Sequence, residues 1–310
     1  MQKLKISNDL TLDRLILGSC YFGNGISEEE CFAMLDAYWD AGGRTVDTAR
    51  VYAVWLPGGD ASERVIGRWM KTKPRHEVCL VTKGGHPPID RMTTGRLDRN
   101  SLYFDLAASL QALDTDYIDL YILHRDDVFR PVADVMETLS EFVQAGKVRA
   151  LGASNWSLDR ILEANEYAVT TGKTPFSVSQ IQWSLAASTP QSWGDETLVC
   201  MTEDEYRRYL AAGLPVMAFS SQAKGLFSKY LDGGENALNP KIRARFLTPE
   251  NLVRAEKVRE LCGRSGFSPA AVSLSYITRN PLPAAAILGC SNSEQLKDSL
   301  TADGIEAFWF

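Results

Sequence analysis

A (β/α)8 barrel, the TIM-barrel class, is the fold this sequence predicts. Two observations carry that prediction. Eight short apolar runs recur along the chain, and the stretches between them return apolar residues every three or four positions. Parallel strands need helical crossovers, so eight such units close most simply into a barrel. A doubly wound open sheet is the alternative that the same alternation allows. No short repeat, low-complexity tract or long linker divides the 310 residues, so 1–310 reads as a single domain.

Taken in order, the chain opens on Leu4–Leu12, where apolar residues alternate around Asn8-Asp9 as in a β-hairpin. The eight predicted strands are Arg14–Leu17, Thr45–Asp47, Val78–Thr82, Ile118–Leu123, Val148–Ala153, Val178–Gln182, Pro215–Ala218 and Ala285–Leu288. Helical periodicity covers Glu28–Ala41, Ser62–Lys71, Leu102–Leu113, Val132–Ala145 and Asp159–Ala168. Asp98 and Ser157 stand where N-caps belong, and Gly146 stands where a helix ends. Gly23-Asn24-Gly25 has Glu28 where a dinucleotide fingerprint needs its third glycine, so it reads as a strand-to-helix loop capped by Ser27. Trp39 and Trp69 fall within helical patterns and are assigned to the core. Gly84–Arg96, Ala186–Thr202 and Gln222–Thr248 show no periodicity, and some of them are expected over the barrel mouth.

Composition narrows the function. The net charge of −6 argues against nucleic acid or an anionic membrane as main partner, since both select basic patches. No apolar run approaches the roughly 18 residues of a membrane span. Met1-Gln2-Lys3-Leu4 opens no secretory signal. Six cysteines without CxxC spacing read as separate reduced thiols, and no metal site is expected. A cytoplasmic enzyme acting on a small molecule is the expectation.

The chemistry gathers at strand ends. Thr45-Val46-Asp47 ends in an acid with Tyr52 five residues later; Val78–Lys83 ends in a lysine; Ile118–His124 ends in a histidine. Side chains at the carboxyl ends of parallel strands converge on one mouth, where barrel enzymes work. A free phenol with a pKa of ~10 exchanges its proton poorly at neutral pH and needs a nearby cation. Lys83 supplies one, Asp47 pairs with Lys83 to hold it in place, and His124 is placed to hydrogen-bond a substrate. Singly, these residues read as a packed Tyr, a capping Asp and a satisfied core His; together they read as a site.

Asp47, Tyr52, Lys83 and His124, in this order, resemble the catalytic tetrad of the aldo-keto reductases. Thr82-Lys83-Gly84-Gly85-His86 places the resemblance among bacterial members, away from the mammalian aldose-reductase type. It implies that the opening hairpin plugs the amino-terminal end of the barrel. It also implies an NAD(P)H-dependent oxidoreductase that moves hydride to or from an aldehyde or ketone, with Tyr52 as proton donor. The resemblance assigns Ser154, Asn155 and Gln180 to the nicotinamide carboxamide, and Phe219 to stacking on its ring. Ser220, Ser221, Gln222, Lys224 and Gly225 match the loop around the pyrophosphate. Gly289, Ser291, Asn292 and Gln295 match the segment entering the last helix, whose N-terminus can hold phosphate.

Many relatives carry Lys or Arg in that last segment, where this chain has Asn292 and Gln295. NADP(H) is the favoured cofactor, with Lys224 as compensating cation, and NAD(H) the alternative. Tyr21, Trp55, His86, Arg125 and Trp193 are candidate substrate contacts. Mixed with Asp126 and Asp127, they suit a sugar-type carbonyl; the aromatics alone suit an aryl aldehyde. The same resemblance admits a cofactor-sensing regulatory subunit, and a redox-neutral sugar enzyme holding its nicotinamide tightly.

Overall fold

Leu4 faces Leu12 across an antiparallel hairpin of β1 (Lys3–Lys5) and β2 (Thr11–Asp13) in the computed structural model, which describes residues 1–54 and 61–310. The chain then alternates β3 (Leu15–Gly18), α1 (Glu28–Asp40), β4 (Thr45–Asp47), α2 (Ala61–Met70), β5 (Cys79–Gly84), α3 (Arg99–Leu113), β6 (Ile118–Leu123), α4 (Val132–Gln144), β7 (Val148–Ser154) and α5 (Leu158–Thr170). It continues through β8 (Phe176–Gln182), α6 (Pro190–Trp193), α7 (Glu203–Ala212) and β9 (Val216–Phe219). Next come α8 (Leu226–Gly233), α9 (Pro240–Phe246), α10 (Pro249–Ser265), α11 (Pro269–Thr278), β10 (Ala284–Leu288) and α12 (Ser293–Leu300). Strands β3 to β10 close a parallel barrel, with β10 paired to both β9 and β3. This is the (β/α)8 class, and the open sheet is excluded.

Two buried layers explain the closure. Leu4, Ile6, Leu10 and Leu12 of the hairpin cluster with Ile16, Val81, Leu120, Ile122, Ala150, Val178, Met217, Ala285 and Ile287. These strand residues face inward, and the hairpin plugs the barrel beneath them. Leu17, Val46, Leu80, Leu123, Leu151 and Ala286 belong to the other layer, packed on the helices. Strand side chains alternate faces, so the inward positions repeat every second residue. Continuing that count past Val81, Ile122, Val178, Met217 and Ile287 reaches Lys83, His124, Gln180, Phe219 and Gly289. The apolar filling thus gives way to cavity-facing residues at the carboxyl ends of the strands.

Caps fix the helix starts. Ser27, Asp98 and Ser157 accept from Glu30, Ser101 and Arg160 N–H, and Gly146 takes the left-handed φ of 67° after α4. The expected loop Gln222–Thr248 is instead largely helical, carrying α8 and α9. Gly233-Gly234 and Pro240 break its sequence pattern, while Leu226, Phe227, Ile242 and Phe246 bury in a separate cluster with Val258, Leu261 and Val272. Trp69 is buried and packs edge-on to Trp39. All six cysteines are free. Among the described residues, no helix is long and apolar enough to cross a membrane.

Asp13 locks plug to barrel. Its buried carboxylate accepts from Arg44 N and Thr45 N at 2.7 Å, from the Tyr38 hydroxyl at 3.1 Å and from Lys3 Nζ at 2.5 Å. Asp13→Ala leaves two backbone N–H groups without acceptors. The expected cost is about 2–3 kcal/mol, read as a lower midpoint in denaturant. An unchanged midpoint would remove Asp13 from the closure.

Candidate active site

Lys83 is fully buried, and all three of its ammonium donors are used. They reach Asp47 Oδ1 and Thr48 O at 2.6 Å and the Tyr52 hydroxyl oxygen at 3.2 Å. Because Lys83 donates, the Tyr52 oxygen accepts there and its own O–H stays available for the cavity. Gln180 Nε2 donates to Asp47 Oδ2 at 2.9 Å, so both carboxylate oxygens are engaged. The Tyr52 and His124 rings stand edge to face, 5.8 Å between centroids. The structure therefore brings Asp47, Tyr52, Lys83 and His124 together. Gly84 is required beside this cluster, since a Cβ there would lie 1.9 Å from the Tyr121 hydroxyl.

Burial, then the Asp47 charge, hold the Tyr52 phenol well above its ordinary pKa. It is a protonated donor at neutral pH. Burial lowers the Lys83 ammonium, and Asp47 opposes the fall. Burial first, and then the neighbouring His86 and Arg125, depress His124 well below its usual value, so the imidazole is neutral. Its Nδ1 is buried with no partner among the described residues.

A cavity of about 990 Å³ opens above this cluster. Asp47, Tyr52, His124, Ser154, Asn155, Gln180, Phe219, Ser220, Ser221, Gln222, Lys224, Gly225, Gly289, Ser291 and Gln295 line it, as do Tyr21, Arg125 and Trp193. Trp55 lies outside the described residues. Lys83 sits beneath the cavity wall. His86 does not reach the cavity; its Nδ1 bonds Pro87 O at 2.6 Å and its ring packs edge-on against His124, 4.7 Å between centroids. Burial pushes His86 down to about 4. Asn292 is the N-cap of α12, accepting from Gln295 N at 2.9 Å, and does not line the cavity. Asp126 and Asp127 are also elsewhere, paired with Arg160 and Arg130.

Several lining residues are partly committed to the fold. Asn155, held at a left-handed φ of 58°, donates to Ser154 Oγ at 3.0 Å and His124 O at 3.4 Å and accepts from Val199 N at 3.1 Å. Ser221 donates to Ile287 O, and Gln222 bridges Ser299 and Gly289 N. The loop after β9 is strained: Ser220, Ala223 and Lys224 take φ of 51°, 48° and 55°. Left-handed backbone at non-glycine residues costs roughly 1–2 kcal/mol each and concentrates at functional loops.

Sequence reasoning missed Cys20, Asp195, Lys229, Lys241 and Arg245, which also line the cavity. Of the loops expected over the mouth, Ala186–Thr202 and Gln222–Thr248 contribute lining residues and Gly84–Arg96 contributes none. Arg96 ties that last segment to α3 through His86 O and Asp105. Lys241 and Arg245 lie one turn apart on α9 and form part of the cavity's basic wall. Between them Arg243 bonds Leu238 O and Glu235 O instead.

A closed barrel with polar side chains gathered at the carboxyl ends of its strands has the architecture of an enzyme, and comparisons with known proteins give its family. The Aldo/keto reductase family model matches residues 14–305, and the chain belongs to that family of oxidoreductases. It is 29% identical to a norsolorinic acid reductase of Emericella nidulans, covering 94% of this chain and 74% of the relative. Identity to the oxidoreductase YrpG of Bacillus subtilis is 30%, covering 94% and 88%. An NADH-specific methylglyoxal reductase of Escherichia coli is 25% identical, covering 97% and 93%.

Proposed function

We propose that the protein is an NADP(H)-dependent carbonyl reductase in which Tyr52 delivers the proton to a small, hydroxyl-bearing, sugar-type carbonyl compound. The hydrogen bond from Lys83 to the Tyr52 oxygen carries this reading. It leaves the phenol proton directed to a substrate and puts a cation where negative charge develops as the proton leaves. A nicotinamide cofactor fits the donor set and supplies the hydride when bound. Gln180 has one amide N–H committed to Asp47 and no donor to its oxygen among the described residues; Ser154 accepts from Asn155 and keeps its own proton to give. These two groups match the acceptor and donor needs of a carboxamide, and Asn155 adds the second lone pair of its oxygen. Phe219 offers an aromatic face in the same cavity.

His124, as a neutral imidazole, orients the substrate carbonyl without bringing a charge that would compete with Lys83. Asp47 keeps Lys83 in place, and Lys83 stabilises the phenolate until solvent restores its proton. Lys224 reaches towards Tyr21, its Nζ 5.7 Å from that ring, while Arg245 stacks 4.3 Å over Trp193. With Lys229 and Lys241 they are four of the five cations lining the cavity, Arg125 being the fifth, against the acids Asp47, Asp195 and Asp298, which suits a cofactor carrying an additional phosphate.

Titrating NADPH and NADH by protein fluorescence tests the preference. NADPH is expected to bind more tightly, and Lys241→Ala and Arg245→Ala each to lower the NADPH-to-NADH affinity ratio by roughly 5–10-fold, a charged hydrogen bond being worth about 1.5–3 kcal/mol when fully formed. Tighter NADH binding by the parent protein would overturn the choice of NADP(H), a result that the NADH-specific relative makes concrete.

A further inference from the structure

The cavity wall beside His124 holds an ion pair. Arg125, only 9% exposed, donates from Nε to Thr197 Oγ1 at 3.0 Å, from Nη1 to His124 O at 2.9 Å and from Nη2 to Asp195 Oδ2 at 3.3 Å. Asp195 Oδ1 accepts from Thr197 N at 3.0 Å and from its hydroxyl at 2.5 Å. Arg125 and Asp195 line the same cavity as Tyr52 and His124. Two of the five guanidinium N–H groups have no acceptor among the described residues, and the carboxylate keeps a lone-pair direction free.

We infer that Asp195 is a specificity-determining residue: it stops Arg125 from capturing carbonyl compounds that carry a carboxylate and favours neutral ones that carry a hydroxyl near the carbonyl. The inference rests on the carbonyl-reductase reading above. A nearly buried guanidinium standing alone beside a carbonyl site is a ready fork for a substrate carboxylate. Asp195 already neutralises it, so a second carboxylate there meets a like charge across the same cation. Such a repulsive element discriminates between substrates as effectively as an attractive one. A hydroxyl meets no such opposition. It accepts a spare Arg125 N–H and donates to Asp195, using both members of the pair.

The test compares kcat/KM values of wild type and Asp195→Asn for paired aldehydes: 4-carboxybenzaldehyde against p-tolualdehyde, and glyceraldehyde against propanal. The asparagine keeps the shape while removing the charge; its single oxygen still accepts from Thr197, and its NH2 faces Arg125 in place of the carboxylate oxygen. In the variant the carboxylate-to-neutral ratio is expected to rise by ~10-fold or more, and the glyceraldehyde-to-propanal ratio to fall. Adding Arg125→Met should cancel the gain for the carboxylate, and Asp195→Glu should keep the wild-type ratios. Unchanged ratios in Asp195→Asn, with p-tolualdehyde still reduced by wild type, overturn the inference and leave the reductase reading standing. Absence of turnover for all four aldehydes defeats that reading and the inference with it.

Discussion

Tyr52→Phe is expected to lower kcat for carbonyl reduction by at least ~10²-fold while leaving cofactor affinity nearly unchanged. The ring remains to pack against His124, so the substitution removes one oxygen and little else. That oxygen accepts from Lys83 at 3.2 Å and holds the proton proposed for transfer. Its loss leaves Lys83 with Asp47 and Thr48 O, two of its three acceptors, so the fold should survive. Single-turnover reduction and a fluorescence titration of cofactor separate the two quantities. Turnover at the wild-type rate in the variant would assign the proton to another group.

Lys83→Met should damage both chemistry and stability. The Asp47 carboxylate, 2% exposed, would remain buried with Gln180 as its one remaining side-chain donor among the described residues. An uncompensated buried charge of this kind costs about 3–5 kcal/mol. The double variant Asp47→Asn with Lys83→Met removes the orphan and should recover a large part of the midpoint in denaturant. It should not recover activity, since the cation beside Tyr52 is still missing. This double-mutant cycle distinguishes structural pairing from a role in proton transfer. Equal stability of wild type and Lys83→Met would show that the buried carboxylate finds compensation other than its lysine partner.

Asp47, Lys83 and His124 were legible in the sequence because each ends an apolar run of known period, and a polar residue there has no apolar place to go. Ser154, Gln180 and Phe219 came from the family resemblance instead, and they line the same cavity. Asp195, Lys229, Lys241 and Arg245 were not legible, because they come from connections after β8 and β9 whose course depends on tertiary packing. Helices α8 and α9 were hidden by the glycine pair and proline that interrupt them. His86 misled because its spacing from Lys83 says nothing of the turn that gives its Nδ1 to Pro87 O. Asp126 and Asp127 sit beside Arg125 in sequence, yet salt bridges to Arg160 and Arg130 turn them to other duties. Neighbours along a chain share a strand end but not a destination.

Closure of the barrel through β3 and β10 also sets a timetable for synthesis. Ile16 lies beside Ile287, so the first barrel strand waits for almost the whole chain before its second neighbour exists. At ~5–20 residues per second, that interval lasts roughly 15–55 s. Throughout it, one edge of β3 offers bare N–H and C=O groups, and the inner face on the hairpin stays wet. Such edges recruit other strands. The edge of β3 and the inner face of the plug therefore stay exposed until the last barrel strand is made.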